Sequence, residues 1–276
     1  MKTLHFNLTT DSGVTIKGTV LIKSLLVDTI VVPGVGQTGS VIKRIAIKAP
    51  EHIAVIPVAP YGKVPADEQS ITTLAADWPI AAAHALKEAG HPGPFHIIGE
   101  SQSAPGVLLA VQKCPELFSN IALIRPLGFT PVYALKDKKS LWPFLKRVLH
   151  SVSQFDQAIW KDLGNLHSGF HITRSLVAHG LKHTAVQFRI ALTTDMAKLK
   201  HLFMNHKASH KKIAIFTAVN DKIFPAEEIK HNLHKAELND VIELFVLEGS
   251  HSSMGTKAGA SHLRAAMEYV RSSSLN

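Results

Sequence analysis

The sequence predicts an α/β fold in which a mostly parallel, eight-stranded sheet carries helices on both faces and a helical segment is inserted near the middle. Short runs rich in Val and Ile alternate with helical patterns along most of the 276 residues. That alternation is typical of a parallel sheet covered by crossover helices. Hydrophobic residues make up 46% of the chain and charged residues 18%, so a large core can be buried.

The candidate strands and helices follow one another in an order that fits such a sheet. The strands begin with a hairpin at residues 4–8 and 15–22 and continue at 29–32, 53–58, 95–98, 121–124, 213–218 and 243–247. The helical patterns lie at 38–48, 68–88, 104–112, 226–235 and 257–270. Each strand ends at a turn that contains Gly, Pro, Asn or Ser, which is where an open α/β sheet places its ligand chemistry.

Residues 130–212 interrupt this alternation. The segment contains amphipathic patterns, is punctuated by Gly164, Gly169 and Gly180, and has no convincing strand. A stretch of this length is too long for a loop in a compact domain. We therefore predict a core formed by residues 1–129 and 213–276 and an inserted helical subdomain formed by residues 130–212.

The positive charge of the chain is concentrated in the same segment. The whole sequence has 30 Lys and Arg against 21 Asp and Glu, a formal net charge of +9. Residues 130–212 hold 14 of these cations and 4 of these anions, so the segment carries +10 and the rest of the chain −1. Such a surface is mostly solvated, but it also attracts anionic substrates, an acidic carrier protein or a membrane surface. Nucleic-acid binding needs a recognisable module besides charge, and the sequence shows none.

Composition excludes several other classes of protein. The chain is too apolar for a disordered protein and lacks the periodicity of collagen or of a coiled coil. Its one cysteine, Cys114, rules out a disulfide scaffold. The first residues lack the apolar stretch of a secretory signal, and no run approaches the ~18 uninterrupted apolar residues of a membrane span. We therefore expect a soluble protein in the cytoplasm.

The strongest local motif is the sequence G-E-S-Q-S at residues 99–103, which joins the fifth candidate strand directly to a helix. It resembles the nucleophile elbow of the α/β-hydrolase superfamily, G-x-S-x-G, with Ser103 at the place of the second glycine. A sharp turn from strand to helix lifts one hydroxyl above the sheet, and the small flanking residues let the helix pass close to the strands. The resemblance implies that Ser101 is the nucleophile. Ser103 fits this role poorly, because the same spacing would then require a small residue in place of Pro105.

Two later segments resemble the other members of a catalytic triad, in the superfamily's chain order of serine, acid and histidine. Asp221 follows the seventh candidate strand in a loop that ends at Pro225, as in the acid-bearing loop of the family. His251 follows the eighth candidate strand in a Gly-x-His segment. The rival position for the acid, after the sixth strand, holds Arg125 and no carboxylate. The resemblance implies that His251 is the base and that Asp221 orients it.

A glycine-rich loop after the third candidate strand resembles the segment where the superfamily often carries His-Gly. Here Pro33 stands in place of the histidine and is followed by Gly34. The resemblance implies an oxyanion hole formed by the backbone N–H groups of Val35 and Gln102. The alternative is a phosphate-binding loop, but the loop has neither the G-x-G-x-x-G spacing nor a Walker lysine.

Other titratable residues are interpreted as having no catalytic role. Asp77, His84 and Glu100 are assigned to packing, capping or solvation. Three histidine pairs have the i, i+4 spacing of a helical metal site, namely His167 and His171, His179 and His183, and His206 and His210. Neither an H-E-x-x-H motif nor a supporting cysteine accompanies them, so we expect no metal.

The resemblance implies a serine hydrolase, in the simplest case a carboxylesterase, that works through an acyl-enzyme without a cofactor and carries residues 130–212 as a helical cap. A thioesterase, acyltransferase, amidase or lyase on the same triad is an alternative, because fold does not fix the reaction. A non-catalytic ligand-binding homologue is another. The expected partner is a small-molecule ester or acyl compound, anionic or carrier-linked if the basic cap takes part. The positive charge of residues 130–212 is also compatible with peripheral membrane contact. We expect no nucleic-acid partner. The sequence does not indicate an oligomeric state.

Overall fold

The computed structural model describes residues 1–11, 13–34, 40–129, 182–183, 186, 199–221, 223–250, 254 and 257–272. The strands are β1 Lys2–Thr9, β2 Thr15–Ile22, β3 Thr29–Val32, β4 Ile53–Val55, β5 Phe95–Glu100, β6 Phe118–Ile124, β7 Ile213–Asn220 and β8 Glu243–Ser250. They form one sheet in the order β1-β2-β4-β3-β5-β6-β7-β8. β2 runs antiparallel to β1 and β4, and the pairs from β4 to β8 are parallel. The predicted mostly parallel, eight-stranded sheet is confirmed.

Helices cover both faces of this sheet. They are α1 Ser40–Lys48, α2 Glu68–Glu88, α3 Ser103–Lys113, α4 Lys200–Ala208, α5 Ala226–Lys235 and α6 Lys257–Ser272, and a 3₁₀ turn spans Tyr61–Lys63. α1 and α6 pack on one face, and α2, α3, α4 and α5 contribute their buried residues to the other. Among the described helices, none combines the length and apolar character needed to cross a membrane.

The central strands are buried on both faces because their side chains alternate between two cores. In β3, Ile30 and Val32 belong to the core under α2 and α3, whereas Val31 belongs to the core under α1 and α6. In β5, Ile97 and Ile98 divide in the same way. Apolar residues at consecutive positions are therefore favoured in these strands, which explains the Val and Ile runs of the sequence.

α2 and α3 pack closely because a glycine lies at their contact. A Cβ atom on Gly106 of α3 would lie 2.7 Å from the carbonyl oxygen of Ala75 and 2.9 Å from its Cβ. These distances are shorter than real carbon contacts, so no larger residue fits without moving a helix. The close packing fixes α3, and with it the turn that joins β5 to α3.

Candidate active site

Ser101 lies in the turn between the end of β5 and the start of α3, where the elbow motif predicts it. Its φ is +52°, a left-handed conformation that is uncommon for a residue with a side chain. Two backbone hydrogen bonds hold it there. The Ser101 N–H donates to the carbonyl oxygen of Ile124 (2.9 Å), and the Leu127 N–H donates to the carbonyl oxygen of Ser101 (3.1 Å).

The small residues on either side of Ser101 have separate physical roles. A Cβ atom on Gly99 would lie 3.0 Å from Cγ2 of Val107, so glycine lets α3 pass close to β5. The Ser103 hydroxyl lies 2.7 Å from the carbonyl oxygen of Val32 and accepts a hydrogen bond from the Glu100 N–H at 2.8 Å. Ser103 therefore ties the beginning of α3 to β3. Sequence reasoning recognised only that this residue is small.

Asp221 directly follows β7 and is buried, with 3% of its surface exposed. Its Oδ1 atom accepts hydrogen bonds from the N–H groups of Ile223 and Phe224, both at 2.9 Å. The carboxylate thereby fixes the loop that leads to Pro225, after which α5 begins. Asp221 therefore lies between β7 and α5, at the position in the chain that the sequence predicts.

A buried ion pair lies beside the elbow. Glu100, the residue before Ser101, is 3% exposed, and Arg125, the residue after β6, is fully buried. Arg125 Nη2 lies 2.8 Å from Glu100 Oε1. The same carboxylate accepts the N–H of Gly34 at 3.2 Å through Oε2 and the N–H of Met254 at 3.1 Å through Oε1. The sequence interpretation of Glu100 as a packing, capping or solvated residue omitted this pairing, and solvation is wrong because its neighbours exclude water.

The charges of this cluster are close enough to influence one another. Burial lowers the pKa of Arg125, and the negative charges of Glu100 and Asp221 oppose that shift. His262 of α6 is fully buried and bonds through Nε2 to the carbonyl oxygen of Glu248 at 3.0 Å. Burial, together with the charge of Arg125, lowers the pKa of His262, whereas the bond to Glu248 and the charge of Asp221 act in the opposite direction. Arg125 is thus the cation that two buried carboxylates share.

The structure describes three of the five predicted site residues: Ser101, Gln102 and Asp221. Gln102 is the N-cap residue of α3, where the sequence places it. Val35 and His251 lie outside the described residues. The carboxylate of Glu100 nevertheless bonds Gly34, the neighbour of Val35, and Met254, three residues after His251.

The predicted cap and histidine pairs are described only in part. Of residues 130–212, the structure describes 182–183, 186 and 199–212. Of the paired histidines, His167, His171 and His179 lie outside the described residues, and His183, His206 and His210 lie within them. In the part of the chain that is described, no group of three or more His, Cys, Asp or Glu residues is placed to hold a metal ion.

Comparison with known proteins identifies the fold. No family model and no curated protein sequence matches the chain. A provisionally assigned lipase from Acinetobacter baumannii AYE has a similar structure, with a TM-score of 0.66 at 16% identity over 99% of this chain and 92% of that one. The bromoperoxidase from Bacillus anthracis gives 0.62 at 14% identity, covering 98% and 100% of the two chains.

A third similar structure is that of a protein described as an alpha/beta hydrolase. It comes from the metagenome of lagoon sediments at Mar Chica, Morocco, and has a TM-score of 0.53 at 15% identity over 94% of this chain and 96% of that one. At such identities the likeness concerns the fold. Together with the strand order and the elbow after β5, it confirms the prediction made from the motifs: this protein has the α/β-hydrolase fold.

Proposed function

We propose that this protein is a serine hydrolase that cleaves a carboxylic ester or a related acyl bond, with Ser101 as nucleophile, His251 as general base and Asp221 as the acid that orients the base. The observation that carries the proposal is the left-handed turn at Ser101, held between a buried strand end and the N-terminus of α3. Backbone strain of this kind concentrates at functional sites. The start of a helix also favours negative charge that develops nearby.

The proposed reaction follows from the chemistry of these groups. His251 accepts the Ser101 proton while the Oγ atom attacks the carbonyl carbon, and Asp221 stabilises the imidazolium. The N–H groups of Val35 and Gln102 bind the oxyanion of the tetrahedral intermediate. His251 then protonates the leaving group, and a water molecule releases the acyl group by the same steps in reverse order.

The contacts of Glu100 support the convergence of the three segments that this reaction needs. Its carboxylate bonds the backbone at Gly34 and at Met254, while its own backbone leads into Ser101. The chain therefore brings the loops after β3, β5 and β8 to a single carboxylate. Asp221 lies on the same edge of the sheet, because it follows the parallel strand β7.

Labelling with a fluorophosphonate probe tests the nucleophile. We expect the wild-type protein to be labelled and Ser101→Ala to lose the label completely, because only an activated serine attacks the probe. Ser103→Gly is the matched control: it removes the other hydroxyl of the motif and restores a G-x-S-x-G sequence, so labelling at Ser101 should persist. An unlabelled wild-type protein, or equal labelling of Ser101→Ala, would leave the non-catalytic homologue as the better description.

The bond that is cleaved requires a separate experiment, because this fold is shared by enzymes as different as the lipase and the bromoperoxidase named above. A panel of esters, thioesters and amides with matched acyl groups decides it. We expect the highest kcat/KM for esters. A preference for thioesters or amides would retain the triad and change the substrate class.

We further propose that the part of residues 130–212 that precedes α4 forms the cap over this site, because α4 itself packs on the sheet. One described residue of the segment contacts the core near the carboxyl ends of the strands: His183 Nε2 donates a hydrogen bond to the carbonyl oxygen of Val64 at 2.8 Å. Val186 also packs against the hydrophobic core. The loop after β4 that carries Tyr61 and Val64 lies on the same edge of the sheet as Ser101.

The charge of this segment predicts a preference for anionic substrates. A net charge of +10 over residues 130–212 attracts anions at long range, and salt screens that attraction over a Debye length of about 8–10 Å. We expect kcat/KM for an anionic ester to fall as ionic strength rises, and kcat/KM for a neutral ester of equal acyl length to stay constant. Equal salt dependence of the two esters would show that the basic segment does not attract the substrate.

A further inference from the structure

The hydrogen bonds of the Glu100 side chain connect the ends of four strands. Among the described residues, donors to its two carboxylate oxygens include Arg125 Nη2 at 2.8 Å, the Met254 N–H at 3.1 Å and the Gly34 N–H at 3.2 Å. These donors belong to the loops that follow β6, β8 and β3, and Glu100 itself ends β5. Arg125 adds a contact to a fifth strand, because its own N–H donates to the carbonyl oxygen of Phe216 in β7.

Burying an ion pair in a protein core carries a large desolvation cost. Taking a carboxylate and a guanidinium out of water costs more than their attraction returns unless further hydrogen bonds satisfy the charged atoms, and apolar residues of similar size often stabilise such a site better. The carboxylate of Glu100 accepts hydrogen bonds from two backbone N–H groups, and both belong to segments next to the proposed site. Gly34 precedes Val35, and Met254 follows His251 by three residues.

We propose that Glu100 is a positioning residue: its carboxylate, neutralised by Arg125, holds the backbones of the proposed oxyanion loop and base loop at fixed distances from Ser101. This inference rests on the proposed function and deepens it. In the proposed reaction the carboxylate takes no part in bond making or bond breaking. It acts through Gly34 and Met254, and its effect is the alignment of the oxyanion N–H and the imidazole with the hydroxyl.

The substitution Glu100→Gln separates this role from packing. Glutamine has almost the same shape, but only one of its two terminal atoms can accept a hydrogen bond. The amide nitrogen would face either the Gly34 N–H or the Met254 N–H, and two donors repel each other. One of the two loops therefore loses its anchor. We expect kcat to fall about 100-fold, as for a displacement of catalytic groups by ~1 Å, with KM changed less than about threefold.

The double variant Glu100→Gln with Arg125→Met distinguishes a positioning role from a structural one. It removes the charges of Glu100 and Arg125 together, so the guanidinium no longer lacks its hydrogen-bonded carboxylate as it does in the single variant, and thermal stability should recover in part. Asp221 loses a neighbouring cation in this variant but keeps the hydrogen bonds from Ile223 and Phe224. We expect kcat and the rate of fluorophosphonate labelling to remain low. Recovery of kcat together with stability would show that the pair only stabilises the fold, and would overturn the inference. Asp77→Asn, which breaks the ion pair with Lys113, is the matched control and should leave kcat unchanged.

Hydrogen exchange of the wild-type protein gives a second measurement that needs no folded variant. The Gly34 and Met254 amides should exchange as slowly as the Arg125 amide, because each donates to a buried acceptor. If the Gly34 amide or the Met254 amide exchanges as fast as the amide of Leu25, which lies in an exposed loop, the inference is overturned. Ser101-dependent labelling with unchanged kinetics in Glu100→Gln would overturn it and leave the proposed function standing. Absence of Ser101-dependent labelling in the wild type would overturn both.

Discussion

Ser101 and Arg125 share an unusual backbone conformation at the ends of two neighbouring strands. Their φ angles are +52° and +46°, and each left-handed residue with a side chain costs about 1–2 kcal/mol. Both are held by hydrogen bonds to the next strand, Ser101 to Ile124 and Arg125 to Phe216. Hydrogen bonds to the neighbouring strands therefore maintain the strained backbone at the carboxyl edge of the sheet. At Arg125 this strain accompanies a side chain that lies in the interior and contacts Glu100.

At Asp221, one carboxylate oxygen maintains the loop, and the negative charge has the proposed catalytic role. We predict that Asp221→Asn leaves the fold intact, because Oδ1 of asparagine still accepts the N–H groups of Ile223 and Phe224. The amide carries no charge to stabilise an imidazolium and favours the wrong tautomer of the histidine. We expect kcat to fall by about 10²–10⁴-fold. Steady-state kinetics and thermal unfolding measure the two effects separately.

The matched control is Asp67→Asn. Asp67 also accepts a backbone hydrogen bond with a carboxylate oxygen, from the Ser70 N–H at the start of α2, and it is exposed. This variant should keep the activity of the wild type. A kcat for Asp221→Asn within a few-fold of the wild-type value would assign Asp221 to the structure of the loop alone, and another acid would have to orient the base.

At the scale of elements, hydrophobic pattern was enough to locate the sheet. β2, β3, α2 and α5 have the bounds that the sequence predicts. β4 is shorter than predicted, ending at Val55 instead of residue 58, because Pro57 has no N–H to donate to a neighbouring strand. β5 is longer, since Gly99 and Glu100 still pair with Leu123 and Ile124 of β6. A charged residue was not expected within a buried strand.

The pairing of Glu100 with Arg125 shows what hydrophobic pattern could not supply. Each residue alone resembles a solvated charge at the end of a strand, and 25 positions separate them in the chain. They meet because β5 and β6 are parallel neighbours, which places their carboxyl ends side by side. Opposite charges at the ends of adjacent parallel strands are the signal that identifies such a pair. Using it requires the strand order, which the sequence suggests only through the family resemblance.

At the scale of the whole molecule, buried histidines should set the response of stability to acid. Four of them are buried among the described residues, namely His91, His96, His206 and His262. In all four, burial lowers the pKa. A histidine that is neutral in the folded protein and free to take up a proton in the unfolded chain lowers the free energy of unfolding as pH falls.

His206 of α4 gives the clearest prediction of this kind. Burial, assisted by the charge of Lys211 and opposed by a hydrogen bond to the backbone of Ser119, lowers its pKa from 6.5 to about 4. Its contribution to stability is therefore complete above pH 6.5, decreases as the unfolded chain becomes protonated, and is lost as pH falls through 4. The difference corresponds to at most about 3 kcal/mol.

We predict that His206→Gln makes the decrease in Tm between pH 7 and pH 4.5 smaller, because the amide side chain is similar in size to the imidazole and does not titrate. The other three buried histidines are present in both proteins, so comparing the two curves isolates His206. His231→Gln, at an exposed position of α5, is the control and should reproduce the wild-type curve. Parallel curves for the wild type and His206→Gln would mean that His206 takes up its proton in the folded state, and that the acid sensitivity comes from other groups.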